Sequence, residues 1–359
     1  MERIRVNTGS PYDVMIGPGL LHQLDQLLPP TILKRGGISV LITDENVEPL
    51  YCEQVEQALR FCGFHVLKAV VPSGEEAKSG EWYLKLLSFM AKNHVTRQDT
   101  IFALGGGVVG DLSGFLAATF LRGISFVQLP TTLLSAVDSS VGGKTAINLA
   151  EGKNLVGAFY QPAAVIMDTD TLHTLDTETF ADGCAEIIKY AMIWDETLFQ
   201  MLKEYILPEC REDNQRIEQV ISRCVSIKQE VVSQDERDKG LRNILNFGHT
   251  IGHSIEKNSG FVVSHGKAVA IGMALVTKAA ERAGICKLGV SRALTELLTA
   301  YGLPTETTYS VECLEEGLLS DKKIEGKQIH LILPKEIGNC YIHNMELADL
   351  KRFFMADMD

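Results

Sequence analysis

The chain has 359 residues, of which 45% are apolar and 22% charged, and a formal net charge of −12. That length fits two domains, each able to bury its own core, and the composition is that of an ordinary globular protein. The acidic balance argues against nucleic acid or an anionic membrane as a partner, and without a long apolar run or a basic-then-apolar leader the expectation is a cytoplasmic protein. Short β-rich runs come first: ISVLIT (38–43), FHVLKAVV (64–71), TIFALG (100–105) and ISFVQLP (124–130), separated by helix-length stretches such as EPLYCEQVEQALRFCG and EWYLKLLSFMAKN. With AVIMD (164–168), this alternation predicts an α/β fold, a Rossmann-like, mostly parallel sheet covered by helices on both faces, over residues 1–172. From there the pattern changes to amphipathic helices over 178–193, 211–234, 246–258, 265–284 and 289–301. A hairpin from QIHLILP and NCYIHNM and a closing helix over 346–356 complete a mainly helical domain, 173–359.

Eight cysteines lie scattered without a CxxC pair and read as reduced thiols. The ligand-type residues stand elsewhere: Glu186 in FADGCAEIIKY, and His249 and His265 in LNFGHTIGHSIEKNSGFVVSHGKAVAIG. One carboxylate and two imidazoles form the donor set of an open catalytic zinc site. By spacing alone His249 and His253, one helical turn apart, also invite pairing as ligands. Glu186 and Lys189 share a helix face and could equally be an intrahelical ion pair worth about 0.2–0.5 kcal/mol.

In the first half, GGGVVGD (105–111) follows a strand and opens a helix, where free backbone N–H groups suit a pyrophosphate, although glycine runs also serve tight turns. Asp44 ends a strand and suits a ribose hydroxyl or a turn. Asp138, Lys144, Lys153 and Asn154 fall within PTTLLSAVDSSVGGKTAINLAEGKNLVGAF, a glycine-flanked stretch that reads as an anion-binding loop or as a solvated one.

Ordered along the whole chain, PSGEEAKS (72–79), GGGVVGDLSGF (105–115), RGISFVQLPTTLLSAVDSSVGGKTAIN (122–148), GKNLVGAF (152–159), AEIIKY (185–190), LRNILNFGHTIGHSIE (241–256), HGKAVAIGM (265–273) and DKK (321–323) resemble the 3-dehydroquinate synthase family. The resemblance implies zinc or cobalt on Glu186, His249 and His265, with His253 on the substrate side. It implies an NAD site from Asp44, Glu75, Lys78, Gly106, Gly107, Val108, Asp111, Thr131, Thr132 and Lys153. It further implies a substrate pocket from Asp138, Lys144, Asn154, Lys189, Lys228, Arg242, Asn246, His253 and a lysine of DKK, Lys322 in preference to Lys323, with Arg122 reaching the phosphate across a homodimer interface.

The implied activity belongs to the shikimate pathway, which leads to the aromatic amino acids. A phosphorylated keto acid, 3-deoxy-D-arabino-heptulosonate 7-phosphate, is transiently oxidised by NAD, loses phosphate, is reduced again and closes by an aldol step to 3-dehydroquinate. Another sugar-phosphate cyclase, a metal-dependent polyol dehydrogenase and a silent NAD-binding protein are the alternatives; Arg242 and Asn246 suit a substrate carboxylate, and the intact metal set disfavours a silent protein. Two residues depart from the family pattern, Lys267 in place of glutamate and Cys184 in place of a bulkier apolar residue. Lys267 is expected to face solvent.

Overall fold

The computed structural model describes residues 1–33, 37–310, 313–314, 324–325 and 328–355. The chain forms two compact units, Met1–Leu175 with Glu212–Arg237, and Asp176–Arg211 with Asp238–Asp359. The strands of the first unit are β1 (Glu2–Val6), β2 (Tyr12–Gly17), β3 (Gly37–Asp44), β4 (Phe64–Val71), β5 (Thr100–Gly105), β6 (Ser125–Pro130), β7 (Lys144–Leu149), β8 (Gly152–Phe159) and β9 (Ala164–Asp168). Its helices begin with two short ones, α1 (Leu24–Leu27) and α2 (Pro30–Leu33), followed by α3 (Glu53–Phe61), α4 (Gly80–Lys92) and α5 (Gly107–Thr119).

Seven strands form one sheet in the order β1-β2-β9-β6-β5-β3-β4, antiparallel at β1 and β2 and parallel elsewhere. Successive strand residues point to opposite faces, so a strand covered on both sides must be apolar throughout. Leu41, Phe102, Leu104 and Val127 accordingly enter one core with Val55 and Leu59 of α3. Val40, Ile42, Ile101 and Ala103 enter the other with Met90 of α4 and Leu112 and Leu116 of α5. The expected α/β sheet is thus present. The structure adds the edge hairpin β1-β2, and it makes an antiparallel ribbon, β7-β8, of the stretch read as a loop.

The helix expected over 211–234 is α8 (Asn214–Gln234), and it groups with the first unit although the sequence placed it in the second. Its buried stripe, Ile217, Val220, Ile221, Cys224 and Val225, recurs at helical spacing, and the helix lies against β1 and β2. A single break near residue 172 therefore does not describe the chain, because burial of that stripe returns it to the sheet.

The second unit contains α6 (Thr177–Ile193), α7 (Glu196–Glu204), α9 (His249–Asn258), α10 (His265–Arg282), α11 (Val290–Ala300) and α12 (Leu347–Met355). A small antiparallel sheet joins β10 (Ile324–Glu325), β11 (Gln328–Glu336) and β12 (Asn339–Glu346). Asp176 and Asp195 start α6 and α7 by accepting bonds from the Thr179 and Leu198 N–H groups.

Helix α10 packs against both α6 and α9. A Cβ on Gly266 would lie 2.0 Å from the Asp182 carbonyl oxygen, and one on Gly272 would lie 2.0 Å from that of Gly248. These contacts bring helix backbones nearer than any side chain allows. Gly248, at φ +76°, takes a left-handed turn that delivers the chain into α9. Gly272→Ala is expected to destabilise the protein by about 1–3 kcal/mol, the usual cost of overpacking, lowering its urea midpoint. An unchanged midpoint would show that α9 and α10 can separate freely.

Candidate metal centre and cofactor cradle

Glu186 projects from α6, His249 is the first residue of α9, and His265 is the first of α10. One donor atom from each lies within 4.8 Å of the others. Glu186 Oε1 is 3.4 Å from His249 Nε2 and 3.4 Å from His265 Nε2. That spacing is long for a hydrogen bond, which closes at about 2.7–3.2 Å. It matches the edge of a tetrahedron, about 3.3–3.4 Å when metal–ligand bonds are about 2.0–2.1 Å. Both distances from Glu186 therefore fit a divalent ion held in a tetrahedral shell.

The far sides of both rings support the same orientation. His249 Nδ1 lies 3.0 Å from the Phe247 carbonyl oxygen, which can only accept, so the proton sits on Nδ1 and the Nε2 lone pair points to Glu186. His265 Nδ1 faces Glu256 Oε2 at 3.5 Å. Burial, with Lys189 and the neighbouring histidines assisting and Glu186 opposing, holds His249 well below the usual imidazole pKa. Burial also disfavours charge on His265, but Glu186 and Glu256 outweigh it and raise its pKa to about 10. A metal must displace that proton, so binding weakens as pH falls.

Lys189 donates to Glu186 Oε2, with both side chains buried, and its Nζ also lies 4.8 Å from the centre of the Tyr190 ring. The pair is therefore intrahelical and also touches the candidate metal centre through Glu186. His253 is exposed, its ring centre 5.5 Å from that of His249 and 6.4 Å from that of His265. Arg242 is buried on the short turn Leu241–Asn246, which also carries half-buried Asn246. Lys267 turns to Glu178, away from the ligands. Lys322 and Lys323 lie outside the described residues.

The first unit gathers most of the remaining candidates. Lys78 Nζ donates to Asp111 Oδ2 and to Asn154 Oδ1, each at 2.6 Å. Lys228, reaching from α8, donates to the Asp138 carboxylate at 2.9 Å and to its carbonyl oxygen at 2.6 Å. Lys153 lies 3.8 Å from Glu75, and Lys144 is exposed at the start of β7. Asp44 accepts from the Asn46 and Val47 N–H groups, so the turn role weighed for it is present. Arg122 is exposed on a left-handed turn, at φ +68°.

The glycine run is also a packing device: a Cβ on Gly106 would meet Thr132 at 3.2 Å, and one on Gly107 would meet Ser139 Oγ at 2.9 Å. Val108 follows in the first turn of α5, whose N–H groups have no partner within the helix. The buried Thr131 hydroxyl has no hydrogen-bond partner among the described residues. An anionic cofactor at this helix start would satisfy groups that the protein leaves open, so the residues fit a dinucleotide.

Three polar residues were missed. Asn148 donates to Glu75 Oε2 at 2.7 Å, accepts from the Asn154 N–H at 2.9 Å, and its own N–H donates to the Lys78 carbonyl oxygen at 2.6 Å. Asp182 stands one turn before Glu186 on α6, and Glu256 backs His265. For Asp182 and Glu256 the sequence offered only a carboxylate about one helical turn from a candidate, Glu186 or His253, and for Asn148 it offered no such signal.

Lys267→Glu is expected to leave turnover within a few fold and to cost less than about 1 kcal/mol of stability, as for other exposed ion pairs; a large loss of turnover would place Lys267 in the pocket. Burial pushes the Asp111 carboxyl up and Lys78 opposes it. Removing that cation by Lys78→Met should cost about 2–3 kcal/mol, less than for a fully buried pair because Asp111 keeps some exposure. An acid raised in the fold is penalised only while ionised, so the deficit should shrink as pH falls through the Asp111 pKa. Parallel stability curves for variant and parent from neutral to acidic pH would contradict this.

Family profiles described as "3-dehydroquinate synthase N-terminal" and "3-dehydroquinate synthase C-terminal" match residues 68–182 and 183–324. The 3-dehydroquinate synthase of Clostridium acetobutylicum is 42% identical over 98% of this chain and 99% of its own length, and that of Enterococcus faecalis 44% identical over 95% of each. Among solved structures, ValA, a 2-epi-5-epi-valiolone synthase from Streptomyces hygroscopicus with NAD+ and Zn2+ bound, aligns with TM-score 0.88, 26% identity and 99% coverage of both chains. A 2-deoxy-scyllo-inosose synthase complexed with carbaglucose-6-phosphate, NAD+ and Co2+ aligns with TM-score 0.86, 24% identity and the same coverage, a likeness of fold. Full-length identity above 40% to curated synthases, on top of the three-helix donor set, establishes that the chain belongs to the 3-dehydroquinate synthase family.

Proposed function

We propose that the chain converts 3-deoxy-D-arabino-heptulosonate 7-phosphate into 3-dehydroquinate and inorganic phosphate, with NAD+ and zinc, or cobalt in its place, as cofactors. The observation that carries the metal reading is the 3.4 Å spacing of Glu186 Oε1 from both histidine Nε2 atoms. A bound divalent ion would supply Lewis acidity to a substrate hydroxyl, and NAD+ a reversible oxidant. Glu186, His249 and His265 hold the ion. Asp44, Glu75, Lys78, Gly106, Gly107, Val108, Asp111, Thr131, Thr132 and Lys153 border the dinucleotide, a reading supported by the open start of α5 and the buried Thr131 hydroxyl.

The remaining residues bind and orient the substrate. Lys144, Asn154 and Arg122 take the phosphate, while Arg242 and Lys322 take the carboxylate, Arg242 through its planar fork. Asp138, Lys228, Lys189 and Asn246 position the hydroxyls. His253, exposed beside the two ligand rings, takes and returns protons at its imidazole. With several steps served by one set of groups, positioning contributes more than any single acid or base.

The working form is a homodimer in the cytoplasm. Leu121, Leu149, Leu155, Val156 and Phe159 are exposed on the first unit near Arg122 or on the β7-β8 ribbon, an apolar surface that suits a second copy. All eight cysteines are free thiols, as a reducing compartment maintains.

The test is incubation of the purified chain with substrate, NAD+ and Zn2+, following phosphate and 3-dehydroquinate together. Equal release of both without accumulating NADH, abolished by a chelator and reduced by about 100-fold or more in Glu186→Gln, is the expected result. Net NADH formation would move the reading to a polyol dehydrogenase. Turnover of sedoheptulose 7-phosphate alone would move it to another cyclase.

A further inference from the structure

We infer that Asp182 is a positioning residue of the metal centre, a clasp that fixes the start of α10, and with it His265, against the helix that carries Glu186. The inference rests on the metal reading above and adds a residue to it. Asp182 and Glu186 lie one turn apart on α6 and so share a face. Asp182 Oδ1 accepts from the hydroxyl of Ser264, the residue capping α10, and from the Lys267 N–H at 3.1 Å.

Ser264 makes no side-chain cap bond of its own to α10. Its hydroxyl is spent on Asp182, and the acceptor that an N-cap residue ordinarily offers to the third N–H of its helix comes from the neighbouring helix instead. The Asp182 backbone takes part as well, since only the missing Cβ of Gly266 lets α10 rest on its carbonyl oxygen. Ser264, His265, Gly266 and Lys267 are consecutive, so the clasp closes on both sides of the ligand. Glu256 sets the rotation of the His265 ring through Nδ1, whereas Asp182 sets where its backbone begins.

Removing the carboxylate loosens one donor of three while all three remain in the chain. The experiment is zinc affinity of the full-length, metal-stripped protein, by competition with a chromophoric chelator, for the parent, Asp182→Ala and Asp182→Asn, with helix content checked by circular dichroism. The expected result is a loss of affinity on the order of tenfold or more for Asp182→Ala, the usual effect of removing a group that orients a ligand. Asp182→Asn keeps an acceptor oxygen and should recover affinity to within a few fold.

Parent-like affinity in Asp182→Ala overturns the inference. So does equal weakening in both variants, because an acceptor role demands rescue by asparagine. A parent that binds no zinc overturns the metal reading itself. Should Asp182→Ala fail to fold, Ser264→Ala removes the other half of the clasp with less disruption; a few-fold loss of zinc affinity supports the inference, and none overturns it.

Discussion

The near-contact of three helix backbones is the constraint on which the candidate metal centre depends. Each helix contributes one donor, so the separation of the helices sets the separation of the donors. The first turn of α10 rests on α6 through Gly266, and its third turn rests on the entry to α9 through Gly272. One methyl group at either place would move a ligand by more than the tolerance of a metal bond, about 0.2 Å. The buried carboxylate of Glu186 would be costly in isolation, but Lys189 and the two imidazoles surround it, and a divalent cation would complete its compensation.

The first unit shows a parallel arrangement built from side chains. Lys78 is buried between Asp111 of α5 and Asn154 of β8, and Asn148 of β7 binds Glu75, Asn154 and the Lys78 backbone. Three segments distant in sequence, the one from Glu75 to Lys78, the start of α5 and the β7-β8 ribbon, are thereby held by one small polar network, in which each charged group has a partner. Asn154 sits at φ +55°, a conformation asparagine tolerates better than most residues, and its side chain is held by Lys78. Local backbone strain at a polar position held on several sides is the usual mark of a functional constraint.

Much of this was legible in the residues. Parallel strands buried on both faces leave largely apolar runs: ISVLIT, TIFALG, ISFVQLP and AVIMD form such strands, while FHVLKAVV forms the partly exposed edge strand β4. Glu186, His249 and His265 announced themselves as ligand types in glycine-rich settings, and the structure brings them together. Spacing alone could not choose between His253 and His265, because a helical turn puts His249 and His253 on one face without saying what that face meets. Contacts such as Asp182 with Ser264 or Asn148 with Glu75 join segments dozens of residues apart, and no local pattern encodes them. The membership of α8 was hidden for the same reason, since an amphipathic stripe shows that a helix is buried but not against what.

That excursion of α8 bears on how the polypeptide can be made and divided. The first unit is discontinuous, so during synthesis β1 and β2 wait for residues beyond 212 before the helix that covers them exists. A fragment ending at Leu175 would contain every strand of the large sheet and still leave apolar surface open where Ile217, Val220 and Ile221 belong. The boundary between the two matching family profiles, at 182 and 183, falls one turn before Glu186 and inside α6. The two units are interleaved by the chain itself, which ties the folding of the first unit to sequence lying beyond Glu186.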